Sequence, residues 1–149
     1  MTDTYQKHGK SKAVDTSKKK NTKRKNPVKT TFNNKREIGS MFEKMAADYL
    51  ESQGVTILER NYRCRMGELD LIARDGRCLV FAEVKYRNAT GNGSAAEAVD
   101  FRKQRTISRV ASFYLMSHYD RIDFPCRFDV LAIEQGRIYW YKNAFDYCT

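Results

Sequence analysis

The sequence has few of the features that mark secreted, membrane-spanning or zinc-stabilised proteins. Its four cysteines, Cys64, Cys78, Cys126 and Cys148, form no C-x-x-C pair, and neither of its two histidines is spaced to complete a zinc site. The count leaves a disulfide open in principle, but reduced thiols are the expectation in a reducing compartment. No apolar run is long enough to span a bilayer, and the first residues are polar, with no apolar core of a secretory signal. A cytoplasmic protein with no membrane partner is expected. No internal repeat is visible.

Charge is plentiful but unevenly placed. The 149 residues carry a formal +10 at pH 7. Residues 1–36 hold twelve Lys/Arg against two Asp/Glu, while the remaining sixteen of each sign balance over 37–149. The length suits one domain, 37–149, preceded by a disordered basic tail, 1–36. The run Lys18-Lys19-Lys20-Asn21-Thr22-Lys23-Arg24-Lys25 cannot bury enough apolar surface to fold. A basic tail on a neutral domain points to a polyanion partner, nucleic acid before an anionic membrane surface. A solvated tail that binds nothing in particular fits the same composition.

Apolar periodicity orders the rest as α-β-β-β-α-β-β, an α/β domain with a mixed sheet flanked by helices. Asn34 and Glu37 form a capping box for a helix ending near Ser52, before Gly54. Its expected inward stripe is Ile38, Met41, Phe42, Met45 and Tyr49, with Glu43 just off it. Val55–Leu58 reads as an edge strand leading into a basic stretch, Arg60 to Arg65. Asn88 to Gly93 reads as a polar loop, and Ser94 with Glu97 as a second capping-box signal, the helix starting there or a few residues later. The helix that follows should run to about His118, with Ile107, Val110, Ala111 and Tyr114 inward. Arg102, Arg105 and Arg109, beside Lys103 and Gln104, form a basic stripe that can track phosphates or be a solvated face. Cys126–Ile133 and Ile138–Tyr141 read as closing strands, the aromatics of the last packing on a helix.

The stretch 67–87 carries the chemistry. Two apolar runs, Leu69–Ala73 and Leu79–Val84, flank Asp75-Gly76 and read as a β-hairpin. Asp70 stands in the first strand, and Glu83 and Lys85 share one face of the second. Charges in strands otherwise apolar are costly unless paired or bound to metal. Carboxylates on adjacent strands suit Mg²⁺ or Mn²⁺, with the Val84 carbonyl as a further oxygen and Lys85 placed to orient water or offset phosphate charge. Glu43 can complete such a shell if its helix reaches the strand ends. A buried ion pair among Asp70, Glu83 and Lys85 is the plain alternative, though such pairs rarely add stability.

Asp70, twelve residues and then Glu83-Val84-Lys85 is similar to the PD-(D/E)xK nuclease signature, with Leu69 where a proline often sits. Gly39-Ser40-Met41-Phe42-Glu43, Arg60-Asn61-Tyr62-Arg63, Gly67-Glu68-Leu69-Asp70-Leu71-Ile72, Val80 to Arg87, Lys103-Gln104 and Arg127-Phe128-Asp129-Val130 resemble the bacterial YraN family. The resemblance covers residues 37 to about 145 and implies a restriction-endonuclease-like fold related to Holliday-junction resolvases. It implies Asp70 and Glu83 as metal ligands, Lys85 as the catalytic lysine and Glu43 as the first-helix glutamate. The basic tail departs from the family's usual short start. Resolvases of that fold act as dimers on a two-fold symmetric junction, so a homodimer is implied as well. The expected function is a Mg²⁺-dependent (or Mn²⁺-dependent) endonuclease on DNA, with junction or branched DNA as the candidate substrate and Arg87, Arg102, Lys103, Gln104, Arg105 and Arg109 on the nucleic acid. The alternative is a non-catalytic nucleic-acid-binding protein on the same scaffold.

Overall fold

The computed structural model describes residues 35–87 and 99–149, apart from the Arg87 side chain. The expected tail over 1–34, its cap Asn34, the loop 88–93 and the Ser94/Glu97 capping box lie outside the described residues. Seven elements follow the expected order: α1 (Lys35–Ser52), β1 (Thr56–Cys64), β2 (Gly67–Asp75), β3 (Cys78–Arg87), α2 (Phe101–Tyr119), β4 (Cys126–Glu134) and β5 (Arg137–Phe145). The strands form one mixed sheet in the order β1-β2-β3-β4-β5. Among the described strands only β3 and β4 pair in parallel. A parallel pair needs a crossover, and α2 supplies it. The chain leaves β3 at its C-terminal end, so the first turn of α2 begins near that end and the helix returns toward the start of β4.

Alternation along β3 sorts the core into two layers. Leu79 and Phe81 pack with Ile107, Val110, Ala111 and Tyr114 of α2. Val80 and Ala82 pack with Ala46, Ala47 and Leu50 of α1. Each large side chain that is fully buried, such as Leu50, Leu69 or Ile107, contributes about 2 kcal/mol by removal from water. A mixed sheet with a helix on each face is consistent with a nuclease-like α/β fold.

The inward face of α1 differs from the expected stripe. Its fully buried residues are Ala46, Ala47 and Leu50, while Phe42, Met45 and Tyr49 are only partly buried at its margin. Small residues face small residues here, Ala46 and Ala47 against Ala73 and Ala82. Large side chains on that face would hold the helix off the sheet. Glu43 stands three residues before Ala46 and four before Ala47, so it continues the buried face toward the helix N-terminus.

Other boundaries also shift. α1 already includes Lys35 and Arg36, so the expected tail ends two residues too late. β1 runs on through the basic stretch to Cys64 and forms a hairpin with β2 through Arg65-Met66. Solvent-facing charges on this edge strand hid its alternation. α2 starts at Phe101, capped by Asp100, whose carboxylate accepts the Lys103 N–H at 2.8 Å. On β5, Trp140 packs toward α1, edge-on to Tyr49, whereas Tyr139 and Tyr141 are exposed. The four cysteines are free thiols. Among the described residues no helix is long and apolar enough to cross a membrane.

Candidate active site

The β2–β3 ladder ends at Leu71↔Ala82, one pair short of Asp70 and Glu83. Beyond that point the Asp70 side chain takes over a backbone role. Its Oδ2 accepts the Val84 N–H at 2.8 Å. Val84 therefore meets the site through its N–H. The backbone ladder stops where the carboxylates stand, and the Asp70 side chain bridges the two strands there.

Glu83 continues the α2-facing row of Leu79 and Phe81 and is only 3% exposed. Its Oε1 accepts from Lys85 Nζ at 2.9 Å. Its Oε2 lies 3.1 Å from Lys103 Nζ. That second contact is close enough for an ion pair, but it is poorly directed for a hydrogen bond, and Oε2 is a buried oxygen without a hydrogen-bond donor. A buried carboxylate oxygen in that condition is costly unless a cation offsets it.

Asp70 is pushed up to about 7, first by burial and then by the neighbouring Glu83 carboxylate. The Val84 N–H and the Lys103 ammonium act in the opposite direction, and Glu43 adds to the rise. Glu43 thus reaches the site electrostatically from α1. The stacking of Phe42 on Tyr86, with centroids 3.9 Å apart, holds that part of α1 over the end of β3. Among the described residues no three His, Cys, Asp or Glu side chains gather as a metal-holding group. The close pair is Asp70 and Glu83, with Glu43 outside it.

The donor set fits Mg²⁺ or Mn²⁺, which need only one or two carboxylates and keep several waters. The Glu83 oxygen without a hydrogen-bond donor and the Asp70 carboxyl, raised by burial and by Glu83, both favour an added cation. Asp70 and Glu83 could hold such an ion.

The other sequence-predicted residues spread along α2. Lys103 turns into the carboxylate site. Gln104 donates to the Val99 carbonyl at 2.8 Å and accepts from the Cys148 thiol at 3.6 Å, which ties the start of α2 to the C-terminal segment. Arg102, Arg105 and Arg109 line a common groove with Phe101 and Thr106. Arg87 ends β3.

The family is now decided by comparison. Residues 42–133 match the family described as uncharacterised protein family UPF0102. The chain belongs to the UPF0102 (YraN) family. It is 47% identical over 113 residues to a UPF0102 protein of Lachnoclostridium phytofermentans, covering 76% of this chain and 96% of that one. A relative from Saccharophagus degradans is 47% identical over 109 residues, covering 73% and 92%. One from Cupriavidus metallidurans is 48% identical over 109 residues, covering 72% and 80%. The family match spans Glu43, Asp70, Glu83, Lys85 and the α2 basic residues alike.

One polar centre escaped the sequence reading. Asp129, fully buried on β4, accepts from Arg127 Nε at 3.0 Å, Trp140 Nε1 at 2.9 Å and the Asn143 N–H at 2.9 Å. Arg127 also donates to Asp75 at 2.9 Å and, chiefly by that bond, holds its carboxyl below the usual carboxylate range. This network fastens β5 across its register shift. The signal was available: a charge inside the apolar run Phe128–Ile133, the same kind of clue that marked Asp70.

Proposed function

We propose that this protein is a metal-dependent endonuclease that hydrolyses phosphodiester bonds in DNA. The observation that carries the reading is the pair Asp70 and Glu83 just past the end of the β2–β3 ladder, two carboxylates close enough that Glu83 helps raise the Asp70 pKa, with Lys85 on the same row. A bound Mg²⁺ or Mn²⁺ supplies charge neutralisation at the phosphate and a lowered pKa for water. Asp70 and Glu83 hold it. Lys85 orients water or offsets charge on the phosphate, and Glu43 adds negative potential from α1. Arg102, Arg105 and Arg109 take the flanking phosphates, and the basic residues of 1–34 add unspecific affinity. The substrate is structured or branched DNA, and the working form is a homodimer in the cytoplasm.

The test is cleavage of paired, single-stranded and branched DNA in Mg²⁺ or Mn²⁺, with Asp70→Asn and Lys85→Ala beside the wild type. Both variants should lose cutting by several orders of magnitude. Wild-type rates in both would refute the site.

One observation favours a second reading, a nucleic-acid-binding protein without catalysis. Lys103 already offers a cation to Glu83, and no third ligand side chain joins the pair among the described residues. On that reading Asp70→Asn leaves tight, salt-sensitive DNA binding intact, and calorimetry finds no Mg²⁺ bound.

A further inference from the structure

A cleft of about 610 Å³ opens on the outer side of α2, apart from the carboxylates. The β1–β2 turn, α2 and the C-terminal segment build it. Arg65 and Met66 come from the turn, Arg109, Phe113 and Met116 from the helix, and Tyr147 from the C-terminal segment. The turn is pressed onto the helix at Gly67, where an added Cβ would lie 2.6 Å from Thr106 Cγ2. That close approach sets Arg65 over the Phe113 ring, 5.5 Å from its centroid. Tyr147 is fixed at the rim by a 3.0 Å hydrogen bond between its hydroxyl and Ser112 Oγ. Met66, Met116 and Tyr147 are 39%, 49% and 55% exposed, a large apolar area to leave in water at one spot.

Charge indicates what covers it. Among the described residues no acidic side chain lines this cleft or the neighbouring groove of Arg102 and Arg105, and Arg109 belongs to both. The two therefore form one basic path along α2. Guanidinium groups leading to an aromatic and methionine floor match a nucleotide strand, phosphates on the path and a planar base in the cleft.

We infer that the cleft is a subsite for an unpaired nucleobase, so that the protein selects nucleic acid in which a base has left the stack. The inference rests on the nucleic-acid reading above and names the substrate feature it recognises. A fully paired duplex fills the phosphate path and leaves the apolar floor bare. A bulge, a branch point or a single strand fills both.

The test is fluorescence anisotropy of the full chain with two labelled DNA duplexes of equal length, one fully paired and one carrying a single-base bulge. EDTA is present, so the result does not depend on cutting. The wild type should bind the bulged duplex roughly tenfold more tightly, within the range for one stacked base. Tyr147→Ala and Phe113→Leu should erase that preference and leave affinity for the paired duplex unchanged. Tyr147 is exposed, so its variant should fold even if Phe113→Leu does not. Equal wild-type affinity for the two duplexes overturns the subsite, whatever the cleavage test gives. Equal loss on both duplexes in Tyr147→Ala also overturns it. A wild-type dimer that Tyr147→Ala converts to monomer assigns the cleft to a second copy instead. Failure to bind either duplex refutes the nucleic-acid reading itself.

Discussion

Lys103, in the first turn of α2, stands 3.1 Å from the buried carboxylate of Glu83 at the end of β3. The contact joins the crossover helix to the strand whose charges need an explanation. It gives Glu83 Oε2 a cation where no hydrogen-bond donor reaches it. It also lowers the Asp70 pKa against the rise caused by burial and Glu83.

Lys103→Met should therefore cost about 1–3 kcal/mol at pH 8, the range for an unsatisfied buried acceptor, because Lys85 still pairs with the other Glu83 oxygen. Added Mg²⁺ should raise the urea midpoint of this variant more than that of the wild type, because an ion bound only by the folded state stabilises it. Urea midpoints in EDTA and in Mg²⁺ measure both effects. An unchanged midpoint in EDTA would show that the contact contributes nothing.

The raised pKa of Asp70 makes stability depend on pH in a definite direction. The folded carboxyl titrates at about 7, whereas an unfolded aspartate titrates near about 3.9. Between those values the folded state holds a proton that the unfolded state has lost. The contribution is greatest below about pH 4, declines as pH rises through the folded value and is flat above it. Three pH units set an upper bound of about 4 kcal/mol at 1.36 kcal/mol per unit, and partial exposure reduces it. Asp70→Asn stays neutral and still accepts the Val84 N–H. In metal-free buffer it should be more stable than the wild type at pH 8 and equal to it at pH 4, as read by urea unfolding at the two pH values.

Asp129→Ala should be among the most destabilising changes in the domain. It strands the Trp140 indole N–H and the Asn143 N–H and removes the buried partner of Arg127. Breaking a buried pair from one side costs about 3–5 kcal/mol. Hydrogen exchange should show β5 opening first. A loss spread evenly over all five strands would contradict the view that this network fastens β5 in particular.

Gly67→Ala tests the support under Asp70. The glycine has φ +140, and an added Cβ would meet Thr106 Cγ2 at 2.6 Å. Strain of this kind costs about 1–3 kcal/mol. The variant should also lose cleavage at temperatures where it is fully folded, because the shifted turn carries Asp70, three residues on, away from Glu83. Full activity in the folded variant would show that the turn does not position the site.

The sequence by itself determined the order of elements and the charged residues worth attention. Apolar periods of 2 and 3.6 are local properties, and a charge inside an apolar strand is visible without coordinates. This is why Asp70, Glu83 and Lys85 stood out, and why the α2 stripe of Ile107, Val110, Ala111 and Tyr114 was read correctly. The tertiary structure decided what depends on close approach between distant segments. It turned the Ala46, Ala47 and Leu50 face of α1 inward, because helix and sheet meet there through alanines. It ended the β2–β3 ladder before Asp70, so that a side chain replaces a backbone acceptor. It brought Lys103 from an apparent surface stripe to Glu83, because a parallel crossover starts α2 beside the end of β3. Such distances are set by packing between elements remote in the chain, and no local pattern records them.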